Sequence, residues 1–154
     1  TIAEIMNEMR DEINENRRRK KLVIIDADIL LHSIENKIDL VDEMASIIEY
    51  PIRLCVLRST ICELKKIARK SLWKISKTAD IALQIIKDKK IKILEDGHLG
   101  NRPTDEKIIL LAKGLDAIVA TDDRELRKKL ENLGIPVVYT RERKKLALNR
   151  NIYW

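Results

Sequence analysis

The chain has 154 residues, 45% of them apolar, which is enough for one globular domain with its own buried core. Aromatic residues make up only 3%, and Phe is absent, which argues against a protein that binds nucleic acid mainly by base stacking. The formal net charge is +6, and residues 124–150 alone supply it, with nine Lys or Arg against three Asp or Glu; such a run fits contact with a polyanion, or simply a solvated surface.

The cysteine and histidine residues show no pattern of a metal site or a disulfide. Cys55 and Cys62 stand seven positions apart without a C-x-x-C spacing, and His32 and His98 are isolated. We expect both cysteines to be free thiols that pack as small apolar groups, in a protein of the reducing cytoplasm. We also expect no signal peptide and no membrane association, because no apolar run approaches the length of a spanning helix.

Helical and strand periodicities alternate along the chain. Apolar residues at three- and four-residue intervals predict an amphipathic N-terminal helix over residues 2–16, and a basic run follows at 17–21. The later predicted elements, in chain order, are a strand at 22–25, a helix at 39–50, a strand at 53–57, helices at 59–70 and 73–87, a strand at 91–94, a helix at 104–112, a strand at 117–120, a helix at 122–130 and a strand at 136–139. This alternation predicts a mostly parallel sheet with helices on both faces.

Two of the predicted strands run directly into acidic residues. In VIIDADILL an apolar strand is followed by Asp26 and Asp28, and in AIVATDDREL another is followed by Thr121, Asp122 and Asp123. Ligands of open parallel sheets bind beyond the carboxyl ends of the strands, at the point where the strand order reverses. Both acidic groups are therefore expected at the same edge of the sheet.

Two further acids, Glu63 and Asp105, stand near the starts of predicted helices, where they have a structural explanation. Thr60 with Glu63 fits a T-x-x-E capping box, and Asp105 is a first-turn acid that the helix dipole favours. Capping does not explain Asp26 and Asp28, which end a strand. The four positions together favour one acidic site.

Converging carboxylates repel one another, and their pKa values rise unless a cation binds between them. Mg²⁺ and Mn²⁺ take oxygen ligands, and a two-metal site both activates water and stabilises the leaving oxygen. We find no Ser–His or Cys–His set that suggests a covalent nucleophile. Metal-assisted hydrolysis of a phosphodiester, with the basic segment beside it, is the predicted chemistry.

Four segments resemble, in order, the motifs of PIN-domain nucleases: VIIDADILL, VLRSTICELKKIA, PTDEKIILLA and AIVATDDRELRKKLENLGIPVVYTRERKKL. The similarity is greatest to the archaeal and eukaryotic branch connected with small-subunit ribosomal RNA processing. The resemblance implies an α/β fold, a three-layer α/β/α sandwich over residues 22–143, preceded by an extra N-terminal helix at 1–21 and followed by a basic tail at 144–154. It also implies an Mg²⁺- or Mn²⁺-dependent endoribonuclease that cuts single-stranded RNA in ribosome biogenesis.

The resemblance implies that four acids bind the metal and catalyse hydrolysis: Asp26, Glu63, Asp105 and Asp123. Thr121 would be a hydroxyl close to the metal or the phosphate, Asp28 an auxiliary acid, and Asp122, at a variable position, an additional carboxylate. The basic segment supplies the expected RNA-binding residues: Arg124, Lys128, Arg141, Arg143, Lys144 and Lys145.

Three alternatives remain open. A haloacid-dehalogenase-type phosphatase would use DADIL as its D-x-D motif, but Ile29 and Leu30 replace the usual Gly-Thr, and Glu63 would have no role. A non-catalytic RNA-binding PIN scaffold would retain the acids, and a toxin-type PIN ribonuclease would share the chemistry. The expected partner is RNA, such as precursor ribosomal RNA, with ribosome-assembly proteins or a second copy as further candidates. The N-terminal helix would pack on the domain or form that dimer contact.

Overall fold

The computed structural model describes residues 1–16, 20–70 and 72–149. Helices and strands alternate through these ranges, in the following order: α1 (Ile2–Asn16), β1 (Lys21–Ile25), α2 (Ala27–Glu35), α3 (Leu40–Ile47), β2 (Ile52–Leu57), α4 (Arg58–Lys70), α5 (Trp73–Asp88), β3 (Lys92–Leu94), a 3-10 turn (Gly97–Leu99), α6 (Thr104–Leu115), β4 (Ile118–Ala120), α7 (Arg124–Asn132), β5 (Val137–Arg141) and β6 (Lys145–Leu148). No helix in the described ranges is long and apolar enough to cross a membrane.

The strands form one sheet in the order β3-β2-β1-β4-β5-β6. The first five run parallel, and β6 pairs antiparallel with β5 at the edge. The central strand is β1, in which Val23 is in register with Leu54 of β2 on one side and with Ile118 of β4 on the other. Strand order reverses at β1, so the carboxyl ends of β1 and β4 border the crevice where sheets of this kind bind ligands.

Apolar side chains cover both faces of the sheet. Every residue of β1 is buried, as in other central parallel strands. Val23 and Ile25 belong to one apolar cluster with residues of α2 to α5, and Leu22 and Ile24 belong to another with residues of α1, α6 and α7. Successive side chains of a strand point to opposite faces, so one short strand contributes to both cores. The predicted three-layer α/β/α architecture is confirmed.

The N-terminal helix α1 packs on α6 of the same domain. Met6 and Ile13 are buried in the second apolar cluster. Met6 lies so close to Gly114 of α6 that a Cβ added to this glycine would stand 2.5 Å from the Met6 Sδ. The Arg10 guanidinium also donates a hydrogen bond to the Gly114 carbonyl. The glycine therefore permits the close approach of the two helices.

One helix and one strand were not expected from the sequence. Residues 27–35 form α2, a helix that begins at the acids of the first motif and buries Ile29 and Leu30. Residues 145–148, placed in a basic tail by the sequence analysis, form β6, with Leu146 only 4% exposed. An edge strand offers unpaired backbone groups, and β6 satisfies those of β5. The rest of the predicted tail, at 150–154, and most of the basic run at 17–21 lie outside the described residues.

The two cysteines differ in environment. Both are free thiols, and Cys55 is buried in β2, as expected for a small apolar group. Cys62 is exposed on α4, so the expectation that it packs in the core is wrong. The exposure of Cys62 follows from its place on α4, because it lies between Ile61, which is buried, and Glu63, which accepts a hydrogen bond from Thr104.

Candidate active site

Asp26 and Thr121 meet at the carboxyl ends of β1 and β4. The Asp26 N–H donates to the Ala120 carbonyl at 2.9 Å, and the Thr121 N–H donates to the Val138 carbonyl at 2.9 Å, so both residues extend the pairing of the sheet. The Thr121 hydroxyl, fully buried, donates to Asp26 Oδ2 at 2.9 Å. Backbone pairing thus fixes the relative positions of two motifs that are 95 residues apart.

Asp26 is the N-cap of α2, and its surroundings disfavour the ionised form of its carboxyl group. Its Oδ1 accepts the Ala27 N–H at 2.8 Å. Burial, and then the charge of Asp28, raises the pKa of Asp26 from 3.8 to about 7. Hydrogen bonds from Thr121 and Ala27 oppose this rise, and the Glu63 carboxylate adds to it. Near neutral pH the carboxyl group is therefore only partly ionised.

Asp28 lies at the same edge. Its Oδ1 accepts the Ile29 N–H at 2.6 Å and the Asp122 N–H at 3.3 Å, and it stands 3.4 Å from the Thr121 hydroxyl. Burial raises the pKa of Asp28, and the Asp122 charge adds to this, while the two backbone hydrogen bonds lower it. The Thr121 hydroxyl therefore stands between two carboxyl groups of α2.

Glu63 reaches this edge from α4, but not through the predicted capping box. The helix begins at Arg58, which places Thr60 inside it, so the capping box is wrong. The start of α4 is capped from elsewhere, because the Ser59 N–H donates to Asp96 Oδ2 at 3.2 Å. Glu63 Oε1 instead accepts the Thr104 hydroxyl at 2.5 Å, a bond that joins α4 to the first residue of α6.

Asp105 follows Thr104 in the first turn of α6, as predicted. Its Oδ1 accepts the Glu106 N–H at 2.9 Å, and its Oδ2 lies 4.0 Å from the Lys129 Nζ of α7. The acid is therefore linked to Glu63 through its neighbour and to α7 through an ion pair. Both partners of that pair are partly exposed, so the pair contributes little stability.

The two acids after Thr121 have different environments. Asp123 is the N-cap of α7 and is exposed; its Oδ1 accepts the Leu126 N–H at 3.1 Å. Asp122 is nearly buried, and both its oxygens are engaged. Oδ1 accepts the Thr140 N–H at 2.7 Å, while Oδ2 accepts the Thr140 hydroxyl at 2.8 Å and lies 2.9 Å from His32 Nδ1. Asp122 therefore connects α2 to β5.

A buried charge pair positions the helices that carry Glu63 and Asp105. Lys107 Nζ donates to the Ser59 hydroxyl at 3.0 Å and lies 3.9 Å from Asp96 Oδ2. Lys107 and Asp96 are both buried. The cluster joins the start of α4, the loop after β3 and the first turns of α6, and the sequence analysis did not identify it.

Several carboxylate groups lie at the carboxyl ends of β1 and β4, and their oxygens are the donors that hard divalent cations prefer. In the part of the chain that the structure describes, no group of three or more His, Cys, Asp or Glu side chains is arranged to hold a metal ion. Burial is the largest cause of the raised pKa of Asp26, and the Asp28 and Glu63 carboxylates add a repulsion that a cation would relieve. The donor chemistry at Asp26, Asp28 and Glu63 fits a divalent ion.

A groove of about 910 Å³ opens beside Asp122, between α2, α7 and the β5–β6 turn. Its lining includes five basic residues: Arg124, Arg127, Lys128, Arg141 and Arg143. Four acids also line it, and Arg127 pairs with one of them, Glu131, at 3.1 Å. The Arg127 guanidinium also stands 4.1 Å from the centre of the Tyr139 ring. Four of the six predicted RNA-binding residues line this groove.

His32, Arg127 and Tyr139 are among the groove residues that were not singled out from the sequence. Arg127 follows Asp123 by one helical turn, a spacing that could have identified it. His32 and Tyr139 gave no such signal, because their proximity depends on how α2 packs beside β5. The two predicted RNA-binding residues outside the lining, Lys144 and Lys145, are exposed in the turn and in β6.

Known proteins are similar to the chain over most of its length. The curated relatives include the rRNA-processing protein FCF1 homolog of Homo sapiens, 26% identical over 118 residues, which are 76% of this chain and 56% of that protein. The chain therefore spans about half the length of these relatives. Ribonuclease VapC9 of Archaeoglobus fulgidus is 27% identical over 137 residues, which are 88% of this chain and 95% of that protein.

A solved structure shares the fold. The PIN domain endonuclease Utp24 superposes with a TM-score of 0.70 at 23% identity, covering 86% of this chain and 96% of that one. The family model of the PIN like domain matches residues 23–143, the range that carries the first three motifs and most of the fourth. Because this match extends over most of the chain, the protein belongs to the PIN-like domain family.

Proposed function

We propose that this protein is an Mg²⁺- or Mn²⁺-dependent endoribonuclease that cuts single-stranded regions of RNA in ribosomal RNA processing. The observation that carries the proposal is the crowding of carboxylates around Asp26, with a groove of basic side chains close by. The names of two relatives support it, because the FCF1 homologues are rRNA-processing proteins and VapC9 is a ribonuclease.

The catalytic acids in this proposal are those expected from the motifs, Asp26, Glu63, Asp105 and Asp123. Asp28 joins them, because its charge is the second largest cause of the raised pKa of Asp26. Mg²⁺ usually retains several waters and takes only one or two protein carboxylates, so a cage of three side chains is not required. When bound, the cation would lower the pKa of a water and stabilise negative charge on the phosphate.

Other side chains at the edge hold the acids in place. Thr121 donates to Asp26, which orients this carboxyl group. We leave Asp122 out of the proposed metal ligands, because Thr140 and His32 occupy both of its oxygens. Its proposed role is to fix the β4–α7 turn to β5, and with it the neighbouring Asp123.

We assign the groove to the RNA backbone. Arg124, Lys128, Arg141 and Arg143 line it and are proposed to contact phosphates, which would make binding strongly dependent on salt. Lys144 and Lys145 stand outside the lining, so their proposed contribution is long-range attraction of the polyanion. The proposed partner is precursor ribosomal RNA, with ribosome-assembly proteins or a second copy as further candidates, and the proposed compartment is the cytoplasm.

A toxin-type ribonuclease is the second candidate, because the similarity to VapC9 extends over 95% of that protein. The phosphatase alternative is not retained, since the chain belongs to the PIN-like family and Glu63 stands at the acidic edge. The two ribonuclease candidates share the chemistry and differ in substrate. A processing enzyme would cut a small-subunit precursor at one position, whereas a toxin would cut unrelated cellular RNA.

The decisive experiment incubates the protein with a small-subunit precursor RNA and an unrelated RNA, with Mg²⁺, with Mn²⁺ and with EDTA. Cleavage that requires metal and is lost in Asp26→Asn supports the proposal. The control variant is Lys113→Gln, because Lys113 is exposed on α6. Arg53→Gln would be unsuitable as a control, because Arg53 is partly buried in β2. Binding of RNA without cleavage would indicate a non-catalytic scaffold.

A further inference from the structure

An exposed tryptophan stands at the start of α5. Trp73, the first residue of α5, is 78% exposed, and Leu72 before it is 80% exposed. These are the two most exposed large apolar side chains in the described residues. A tryptophan at a helix tip offers a flat π-surface to solvent, and neither the acidic edge nor the basic groove makes use of it.

The segment around Trp73 carries a strong positive charge. Residues 64–79 contain no Asp or Glu and six basic residues, all of them exposed: Lys65, Lys66, Arg69, Lys70, Lys74 and Lys77. Lys77, one helical turn after Trp73, holds its Nζ 5.1 Å from the centre of the indole ring. This segment therefore carries as much net positive charge as the basic segment of the groove.

The two helices that flank Trp73 also contact elements of the candidate active site. Glu63 lies on α4, and α5 packs against α2, the helix that Asp26 caps.

We infer that Trp73 is a stacking site for an unpaired base of RNA, with the cations of α4 and α5 bound to the flanking phosphates. This inference rests on the proposed ribonuclease function and adds a substrate contact outside the groove. A planar ring beside Lys77, in a segment that carries six cations, fits a base next to its own phosphate. An acidic protein segment would match the charge but would not need the flat ring, so RNA is the better fit.

The test measures binding of a short single-stranded RNA and of an RNA duplex in EDTA, where no cutting is expected. Trp73→Ala is expected to weaken single-strand binding roughly 5- to 150-fold, the usual effect of losing one stacked base. Trp73→Phe should retain most of the affinity, because its ring still stacks. Duplex binding should change little in either variant, since paired bases are already stacked. Leu133→Ala, at another exposed apolar residue, is the matched control.

Several outcomes would overturn the inference. Single-strand affinity that Trp73→Ala leaves unchanged would do so, and so would an equal loss on the duplex. Loss of self-association with RNA affinity retained would identify a protein contact instead. Cleavage with Mn²⁺ is measured separately on the wild-type protein. Trp73-dependent binding without cleavage would retain the stacking site and refute the nuclease, whereas cleavage with Trp73-independent binding would do the reverse.

Discussion

The Thr121 hydroxyl donates a 2.9 Å hydrogen bond to Asp26 Oδ2, although the two residues are 95 positions apart in the sequence. The bond connects the ends of β1 and β4, the two strands that border the crevice. It is also one of the interactions that lower the pKa of Asp26, and it acts against the burial that raises it. Thr121 thereby influences the charge of the central acid without being an acid itself.

Thr121→Val is expected to raise the pKa of Asp26 above its value of about 7, because the ionised form loses a hydrogen bond. The variant should bind metal more weakly at neutral pH and regain part of the affinity at higher pH. Metal titration by calorimetry at two pH values tests this. Thr121→Ser retains the hydroxyl and should behave like the wild type. Equal weakening by both variants would mean that the hydroxyl is not responsible.

The stability of the metal-free protein should depend on the charge of Asp26. Its pKa is 3.8 when unfolded and about 7 when folded, so the folded state binds more protons between these values. The stability that protonation of Asp26 contributes is therefore fully present below about pH 4 and is lost as the pH rises through about 7. Asp26→Asn should remove this slope and, near pH 8, raise the melting temperature by about 2–4 °C per kcal/mol of relieved repulsion. A large decrease in melting temperature would show that Asp26 is structural.

Asp122 and Asp123 should respond differently to substitution. Asp122→Ala leaves the Thr140 N–H and hydroxyl without their acceptor, so it is expected to cost about 1–3 kcal/mol of folding free energy. Asp123→Asn retains an N-cap and should leave stability within about 0.5 kcal/mol, while it impairs RNA cleavage. Urea denaturation and a cleavage assay on both variants test the contrast. Equal destabilisation by the two would contradict it.

Neutralising the groove should change the salt dependence of RNA binding. The triple variant Arg124→Gln, Lys128→Gln, Arg143→Gln is expected to flatten the log–log slope by about 0.7 per lost phosphate contact on a single strand, or about 2 in total. Filter binding over a range of salt concentrations measures the slope. A control triple at Lys87, Lys89 and Lys113, outside the groove, should change it less. Identical slopes for both triples would refute the groove.

Lys107 is expected to be essential for stability. Lys107→Met leaves Asp96 buried without its cationic partner, which should cost about 3–5 kcal/mol. Adding Asp96→Asn should recover part of the loss, because an amide is less costly to bury than a carboxylate. Urea denaturation measures both effects, and Lys113→Met on the same helix is the exposed control. Destabilisation equal to that of the control would contradict the buried pair.

Much of the fold could be predicted, because short-range patterns of apolar residues indicate where most helices and strands lie. The apolar run that ends at Ile25 marks the central strand, and the predicted helix at 59–70 differs from α4 by one residue. The misses have separate causes. Only Asp26 separates β1 from α2, so the apolar residues of the helix follow the apolar run of the strand without a break signal, and β6 forms only because β5 offers it an open edge.

The sequence by itself determined the alternation of helices and strands, the family and the identity of the acids, because these depend on residue type and spacing within single segments. Only the tertiary structure decided how those acids are used. It engaged both oxygens of Asp122 with β5 and α2, and it raised the pKa of Asp26. Burial and the distances between carboxylates depend on how the strands order and the helices pack. That packing brings together residues that are far apart along the chain, and their spacing in the sequence does not predict the contact.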